Sequence, residues 1–234
     1  MISYKNITFL LSLFFVTSIV FAQTELNQLD DNGKRHGVWK KYFPDTKQLR
    51  YEGEFSHGKE IGTFKFYCEK CKEQPSIVKV FNVENYIAEV TYFAENGKEI
   101  SAGKMNGKNR IDIWLYYHKN GKSIMVEENY KNGLLDGKIT TFYPNGGLTE
   151  TIMYSEGKKE GENLYYSPAS IVIKRLNNTN NMLHGPAYYY DAHGNVIIEG
   201  TYKLDAKHGL WKYYQNGKLV KEETYPKPRK KKDN

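Results

Sequence analysis

Short runs in which apolar and polar residues alternate fill the chain from residue 32 to residue 225. The runs are rich in Tyr, Phe, Ile, Val and Thr, and they lack the 3.6-residue period of an amphipathic helix. Seven Asn-Gly pairs interrupt the runs, and this dipeptide readily adopts the positive φ angles of tight hairpin turns. The pattern therefore predicts β-hairpins, and it predicts a helix only within the first 22 residues.

The hairpins recur as a repeat that begins with a glycine, three other residues and a second glycine, as in Gly58 with Gly62 and Gly133 with Gly137. Successive repeats start 24 to 26 residues apart, except for a gap of 49 residues after Gly58 that spans two periods. We therefore predict an all-β fold in which residues 32–225 form about eight consecutive hairpins. Side by side, these hairpins would make one elongated, twisted antiparallel sheet.

Aromatic residues recur at three positions of the repeat. The first set occupies one position of the first strand: Tyr42, Tyr67, Tyr117, Phe142, Tyr166, Tyr190 and Tyr214. The second set lies three residues before the next repeat: Phe55, Tyr130, Tyr154 and Tyr202. Because a lone hairpin is barely stable in water, we predict that these two sets pack between hairpins as the core.

The third set of aromatic residues lies near the start of the first strand: Trp39, Phe64, Trp114 and Trp211. These four residues are candidates for contact with a partner, because large aromatic side chains are favoured anchors of protein interfaces. The alternative is that they complete the core of a thin sheet.

The N-terminus has the features of a signal peptide in residues 1–22: Lys5, an apolar stretch over 7–21, and Ala22 before Gln23. The alternative, a membrane anchor, is disfavoured because the apolar core over 9–21 is shorter than the ~20 residues of a spanning helix. We therefore expect an exported chain, periplasmic or secreted, with residues 23–31 as a short linker before the repeats.

The net charge of +7 is concentrated in the tail 226–234, which carries five Lys or Arg residues against Asp233. We expect this tail to be disordered and basic, with weak membrane or glycan contact as a further role. Nucleic acid is not an expected partner, because little excess charge remains on the folded body and export separates the chain from nucleic acid.

The two cysteines, Cys68 and Cys71, form a Cys-x-x-Cys pair. In an exported protein a disulfide between them is the favoured interpretation. A thioredoxin-like redox site would need a helix N-terminus, which is not predicted here. A zinc site would need two further ligands, and the nearest histidines, His57 and His118, lack motif spacing.

Residues that could support catalysis fall at structural positions of the repeat. Most histidines precede turn glycines, and His118 is the exception. Glu127 and Glu128 are adjacent in a strand, so their side chains should point to opposite faces and should not act as a pair. We predict no catalytic, cofactor or metal site, and we do not expect an enzyme. A hydrolase with an unrecognised site is a further hypothesis, besides the two binding functions described below.

The segment from Tyr51 to Phe64, with its Tyr-Glu-Gly-Glu-Phe start and the glycines 58 and 62, resembles a MORN repeat. Later units such as Gly209-Leu-Trp-Lys-Tyr-Tyr214-Gln-Asn-Gly217 are similar to the bacterial MORN-variant family often labelled YwqK-type antitoxin. The resemblance spans about residues 32–225. It implies a curved sheet of hairpins that acts as an interaction surface and, in some members, neutralises a toxin by binding it.

These observations lead to two function hypotheses of different classes. The first is an exported repeat scaffold that binds a protein partner through its sheet, with toxin neutralisation or immunity as one form of that role. The signal peptide argues against a cytoplasmic antitoxin role, because an exported chain would not meet a toxin that stays in the cytoplasm. The second is a cell-envelope module that associates with glycan or lipid.

Overall fold

The computed structural model describes residues 25–69 and 73–227. Within these residues the regular structure is entirely β, and the strands pair into one antiparallel sheet. No helix in the described ranges has the length and apolar character that crossing a lipid bilayer requires. The predicted signal peptide and residues 228–234 of the predicted tail lie outside the described residues.

The strands follow the chain in simple order, each pairing with the one before it, except that β11 pairs with β9 and β16 pairs with β14. Their bounds are β1 Gln28–Leu29, β2 Arg35–Tyr42, β3 Leu49–Ser56, β4 Lys59–Phe66, β5 Ile77–Phe81, β6 Ile87–Phe93, β7 Glu99–Asn106, β8 Asn109–Tyr117, β9 Ile124–Lys131, β10 Leu134–Leu135, β11 Gly137–Phe142, β12 Leu148–Ser155, β13 Lys158–Tyr166, β14 Val172–Thr179, β15 Met182–Leu183, β16 Gly185–Tyr190, β17 Val196–Lys203, β18 Ala206–Gln215 and β19 Lys218–Tyr225. Strand β1 lies inside the predicted linker 23–31 and pairs with β2, so the sheet starts before the first repeat glycine.

The sheet contains eight hairpins, because β10 and β15 are the first residues of the strands that continue as β11 and β16. We number the hairpins 1 to 8 in chain order, from β2–β3 to β18–β19, and call the contact between successive hairpins a junction. Tight two-residue turns join the hairpins, except between hairpins 2 and 3, where residues 82–86 form the connection. Asn132 and Gly133 form one of the tight turns, with φ angles of 52° and 84°. The predicted all-β sheet of about eight hairpins is confirmed.

The second glycine of the repeat forms a β-bulge. Gly62 and Gly209 have φ angles of 61° and 68° inside strands, and the register with the neighbouring strand shifts at both places. At junction 3/4, where the glycine is lost, Asp112 takes the same conformation with φ 58°. Such a bulge bends the strand and increases its twist. The repeated glycines therefore curve the sheet at regular intervals.

The core lies on one face of the sheet, which we call the core face. Phe64, Trp114 and Trp211 are at its centre, with 0%, 0% and 1% of their surfaces exposed. Members of the predicted second set pack around them: Phe55 is buried, and Tyr130 and Tyr202 contact the two tryptophan clusters.

The prediction that the first aromatic set belongs to the core is wrong in its choice of face. Tyr67 and Tyr214 hydrogen-bond to Glu52 and Glu199 on the opposite face. This follows from strand geometry, because Tyr214 lies an odd number of residues after Trp211 in the same strand. Tyr42 is largely exposed. The first set therefore covers the opposite face, where its rings other than that of Tyr42 are partly buried.

Candidate functional site

Three of the four predicted partner-binding residues are in the core. Phe64, Trp114 and Trp211 are fully buried, so the prediction that they contact a partner is wrong, and the alternative that they complete the core holds. Trp39, in the first hairpin, is partly exposed, and its indole N–H donates to the carbonyl of Gln28 at 3.0 Å.

A glycine in the preceding strand explains how a single-layer sheet buries such large rings. A Cβ atom at Gly103 would lie 2.4 Å from the Trp114 ring, and one at Gly200 would lie 2.2 Å from the Trp211 ring. The rings therefore rest directly on the glycine backbone. The signal was present in the sequence, because Gly53, Gly103 and Gly200 each precede their aromatic partner by eleven residues.

The polar edge of each tryptophan is also satisfied within the chain. The indole N–H of Trp114 donates to the carbonyl of Lys104 at 2.9 Å, and that of Trp211 donates to the carbonyl of Thr201 at 3.1 Å. The guanidinium of Arg110 lies over the Trp114 ring at 4.3 Å from its centroid, a cation–π contact. These rings have no surface left for a partner.

The opposite side of the sheet, which we call the open face, carries exposed apolar side chains. Ile113 and Leu210 directly precede Trp114 and Trp211, so they point to the open face, where 53% and 46% of their surfaces are exposed. Shallow depressions line this face at junctions 1/2, 3/4 and 7/8, each centred on the glycine that carries a core ring.

At junctions 1/2 and 7/8 the depression is lined by a glutamate that belongs to a Glu–Lys–Tyr cluster. Glu52 lies 3.3 Å from the Lys40 ammonium and accepts a hydrogen bond of 3.0 Å from Tyr67. Burial would raise the pKa of Glu52, but the bonds from Tyr67 and Lys40 outweigh it and lower the pKa overall. Burial and the bond to Glu52 raise the pKa of Tyr67 to about 12.

A second cluster with the same three residue types lies at the other end of the sheet, and its lysine comes from across the junction, as Lys65 does for Glu52. Glu199 accepts a hydrogen bond of 2.7 Å from Tyr214 and lies 3.2 Å from the Lys212 ammonium. The bond from Tyr214 is the main reason why the pKa of Glu199 is lowered, and Lys212 adds to it. Both clusters hold their carboxylates ionised.

At junction 3/4 the same positions are apolar. Ala102 and Leu115 pair directly across β7 and β8, where Glu52 pairs with Lys65 and Glu199 pairs with Lys212 at the other two junctions. The depression there has a volume of about 540 Å³ and is also lined by Ile113, Val90 and Thr91. The open face thus holds charged clusters towards its two ends and an apolar depression between them.

The candidate catalytic residues are separated by the sheet. Glu128 is on the core face and accepts a hydrogen bond of 2.7 Å from Tyr130, whereas Glu127 lines the open-face depression. The His118 imidazole lies 3.1 Å from the carbonyl of Phe142. Glu127 and Glu128 therefore do not form a carboxylate pair.

Other polar groups considered for metal or redox chemistry have structural partners. The His57 imidazole lies 2.7 Å from the Asp30 carboxylate, and this contact is the main reason why the pKa of Asp30 is lowered. Across the described ranges, no three His, Cys, Asp or Glu side chains are placed to hold a metal ion. Cys68 is disulfide-bonded, but the predicted pairing with Cys71 remains a prediction because Cys71 lies outside the described residues.

Three segments of the chain match the MORN repeat variant: residues 135–156, 183–204 and 207–225. Each segment covers one hairpin, namely hairpins 5, 7 and 8. The chain carries MORN-variant repeats. MORN repeats are non-catalytic scaffolds that generally serve as protein-interaction modules. No curated protein matches the chain.

Proposed function

We propose that this MORN-variant chain is an exported, non-catalytic scaffold that binds a protein partner through the open face of its sheet. The observation that carries the proposal is the difference in exposure between the two faces of the sheet. The chain's own rings and glycines fill the core face, whereas the open face keeps exposed aliphatic side chains beside shallow depressions. Exposed apolar patches with a polar rim are typical of interaction sites.

The proposed contact surface centres on Ile113 and Leu210, which hold equivalent positions in hairpins 4 and 8. The same face also carries Met153, which is partly exposed, and the charged clusters around Glu52 and Glu199. Aliphatic groups that a partner buries would supply affinity, and the fixed charges would supply orientation.

The test is capture of a partner by the purified chain, followed by exchange of two open-face residues. Wild type and the double variant I113E/L210E are immobilised and challenged with proteins of the compartment in which the chain is found. We expect a single protein to bind wild type in stoichiometric amount and not to bind the double variant. The matched control is V83E/L204E, which adds the same charges at exposed apolar residues in turns.

Equal loss in I113E/L210E and V83E/L204E, or no loss in either, would contradict a role for the open face. Retention of wild type on glycan or anionic lipid vesicles, with no protein partner, would favour the envelope-associated alternative. A captured partner that arrests growth when produced alone, but not together with this chain, would give the scaffold a toxin-neutralising role.

Export is part of the proposal and has its own test. Residues 1–22 carry the signal-peptide pattern, and cleavage after Ala22 would leave Gln23 as the first residue. We expect N-terminal sequencing of the protein from the periplasm or medium to begin at Gln23. Recovery of the full-length chain from the cytoplasm would contradict export.

A further inference from the structure

We infer that the apolar depression at junction 3/4 is the anchor site of the open face, and that it receives a large apolar side chain from a basic protein segment. This inference rests on the proposed function, which it makes specific. The juxtaposition that carries it is a carboxylate-flanked apolar depression at a place where junctions 1/2 and 7/8 hold ion pairs.

Compared with junctions 1/2 and 7/8, junction 3/4 lacks charge only at the two residues of the cross-strand pair. Ala102 replaces the glutamate and Leu115 replaces the lysine of the equivalent cross-strand pairs, while the aromatic residue that follows two positions later remains as Tyr117. The backbone is the same, since Gly103 supports Trp114 as Gly200 supports Trp211. The apolar surface is therefore a property of two side chains rather than of a different fold.

The size of the depression suits one or two large side chains. Its volume of about 540 Å³ lies within the range of small ligand sites, and Ile113 stands at its wall with half of its surface exposed. Burial of such apolar surface contributes roughly 25 cal/mol per Å². A Phe or Leu side chain that fills the depression would gain most of its affinity from this term.

The charges around the depression select the flanks of the partner segment. Glu89 and Glu127 both line it, and among the described residues neither carboxylate has a cation within 4.0 Å. Lys104, the cation at the rim, is paired with Asp112 at 3.6 Å. The free charge at the rim is therefore negative, and it complements lysine or arginine on either side of the apolar anchor.

Two other places on the open face, at junction 7/8 and in hairpin 6, lack this combination. Glu199 is paired with Lys212 at junction 7/8, and Glu162 is paired with Arg175 in hairpin 6. In these places the carboxylates are already neutralised by the chain's own cations, so a basic segment gains less there. The depression at junction 3/4 thus combines an apolar lining with carboxylates that no cation of the described ranges neutralises.

The experiment uses a defined peptide probe, because the natural partner is unidentified. The probe is a capped peptide with Leu-Phe-Leu at its centre and two lysines on each side, titrated into the ¹⁵N-labelled chain. We expect amide shifts to be concentrated at residues 89–91, 102–104 and 113–115. Replacing the four lysines by glutamates, or the central Phe by Ala, should weaken binding roughly ten-fold or more.

The decisive variant is A102E/L115K, which grafts the ion pair of the equivalent junctions onto junction 3/4. We expect it to fold with an unchanged thermal midpoint, since the same pair is tolerated at the two other junctions, and to bind the probe at least roughly ten-fold more weakly. The converse variant E199A/K212L should create a second set of amide shifts, at residues 199–201 and 210–212.

Several results would overturn the inference: unchanged probe affinity in A102E/L115K, equal affinity for the glutamate-flanked peptide, or shifts spread over the whole sheet. The chain could instead associate with itself or bind anionic vesicles, and lose that property in A102E/L115K alone. This result would assign the depression to another occupant and would also overturn the inference. If a captured partner depends on Ile113 and Leu210 but binds A102E/L115K normally, the anchor site is wrong while the proposed function stands.

Discussion

Junctions 3/4 and 5/6 share one backbone plan but fill it differently. At junction 3/4 Trp114 rests on Gly103, and the ring is completely buried. At junction 5/6 Asn163 takes the position of the tryptophan, and Ile152 takes the position of the glycine. The large apolar side chain therefore lies on the other strand of the junction. Both junctions are filled and both satisfy their hydrogen bonds, so a stable junction needs a filled volume but does not need an aromatic residue.

Asn163 shows how a polar side chain can occupy a core position. It is almost fully buried, accepts a hydrogen bond of 3.1 Å from the backbone N–H of Met153, and donates to the side chain of Asn178. Asn178 in turn donates to the carbonyl of Asn181 at 3.0 Å. In place of hydrophobic volume, junction 5/6 uses a chain of hydrogen bonds that ties the core to a turn.

The largest effect should come from removing the ring at junction 3/4. Trp114→Ala leaves a cavity over Gly103, and we expect a loss of about 3–5 kcal/mol in the free energy of unfolding. Urea denaturation followed by circular dichroism measures it. Trp39→Ala, at a partly exposed position of the same column, should cost clearly less. Equal losses would show that burial does not set the energy.

A smaller effect should follow from overfilling the same junction. Gly103→Ala places a methyl group 2.4 Å from the Trp114 ring, and we expect a loss of up to about 3 kcal/mol. Combining it with Trp114→Leu should restore part of the loss, because the smaller leucine leaves room for the added methyl group. Junction 6/7 also pairs a leucine with an alanine, although with the positions exchanged, since Leu176 takes the glycine position and Ala187 the ring position. If the double variant shows the full sum of the two single losses, the two positions do not share a volume.

The polar junction should respond through its hydrogen bonds. Asn163→Ala leaves the Met153 N–H and the side-chain oxygen of Asn178 without the partner that Asn163 supplies, and we expect a loss of about 1–2 kcal/mol. Amide hydrogen exchange should accelerate at Met153 in particular. Asn177→Ala is a control, because that neighbouring side chain bonds to a single carbonyl at a less buried position. Unchanged exchange at Met153 would contradict the role assigned to Asn163.

The smallest effect concerns acid stability of hairpin 8. Hydrogen bonds from Tyr225, Lys227, Lys221 and Tyr213 lower the pKa of Glu223 to about 2. An unfolded glutamate titrates near ~4.3, so these bonds stabilise the folded state above that pH and lose their effect as the pH falls towards 2.

Glu223→Gln should therefore destabilise the fold slightly at neutral pH and flatten the fall in unfolding free energy between about pH 4 and pH 2. Urea denaturation at several pH values measures the slope. Glu222→Gln, one residue away and on the other face, is the matched control. An identical slope in wild type and the Glu223 variant would refute the assignment.

The sequence predicted the repeat but not which face of it is covered. Alternation along a strand shows that Trp211 and Tyr214 lie on opposite faces. It does not show whether the aromatic set of Trp211 or that of Tyr214 forms the core. The deciding feature is a glycine on the neighbouring strand, as at Gly200, because it allows a ring to approach the backbone closely. The apolar depression was missed for a related reason, since Ala102 and Leu115 are ordinary strand residues until their register is known.

By itself, the sequence determined the local structure of this protein: glycine and Asn-Gly positions set the turns, and alternating aromatic runs set the strands, because these depend on each residue's own backbone preferences. The tertiary structure decided which face is closed and which is open. That choice depends on which side chains meet across strands, and the bulges at Gly62, Asp112 and Gly209 shift that register by amounts that no single strand encodes.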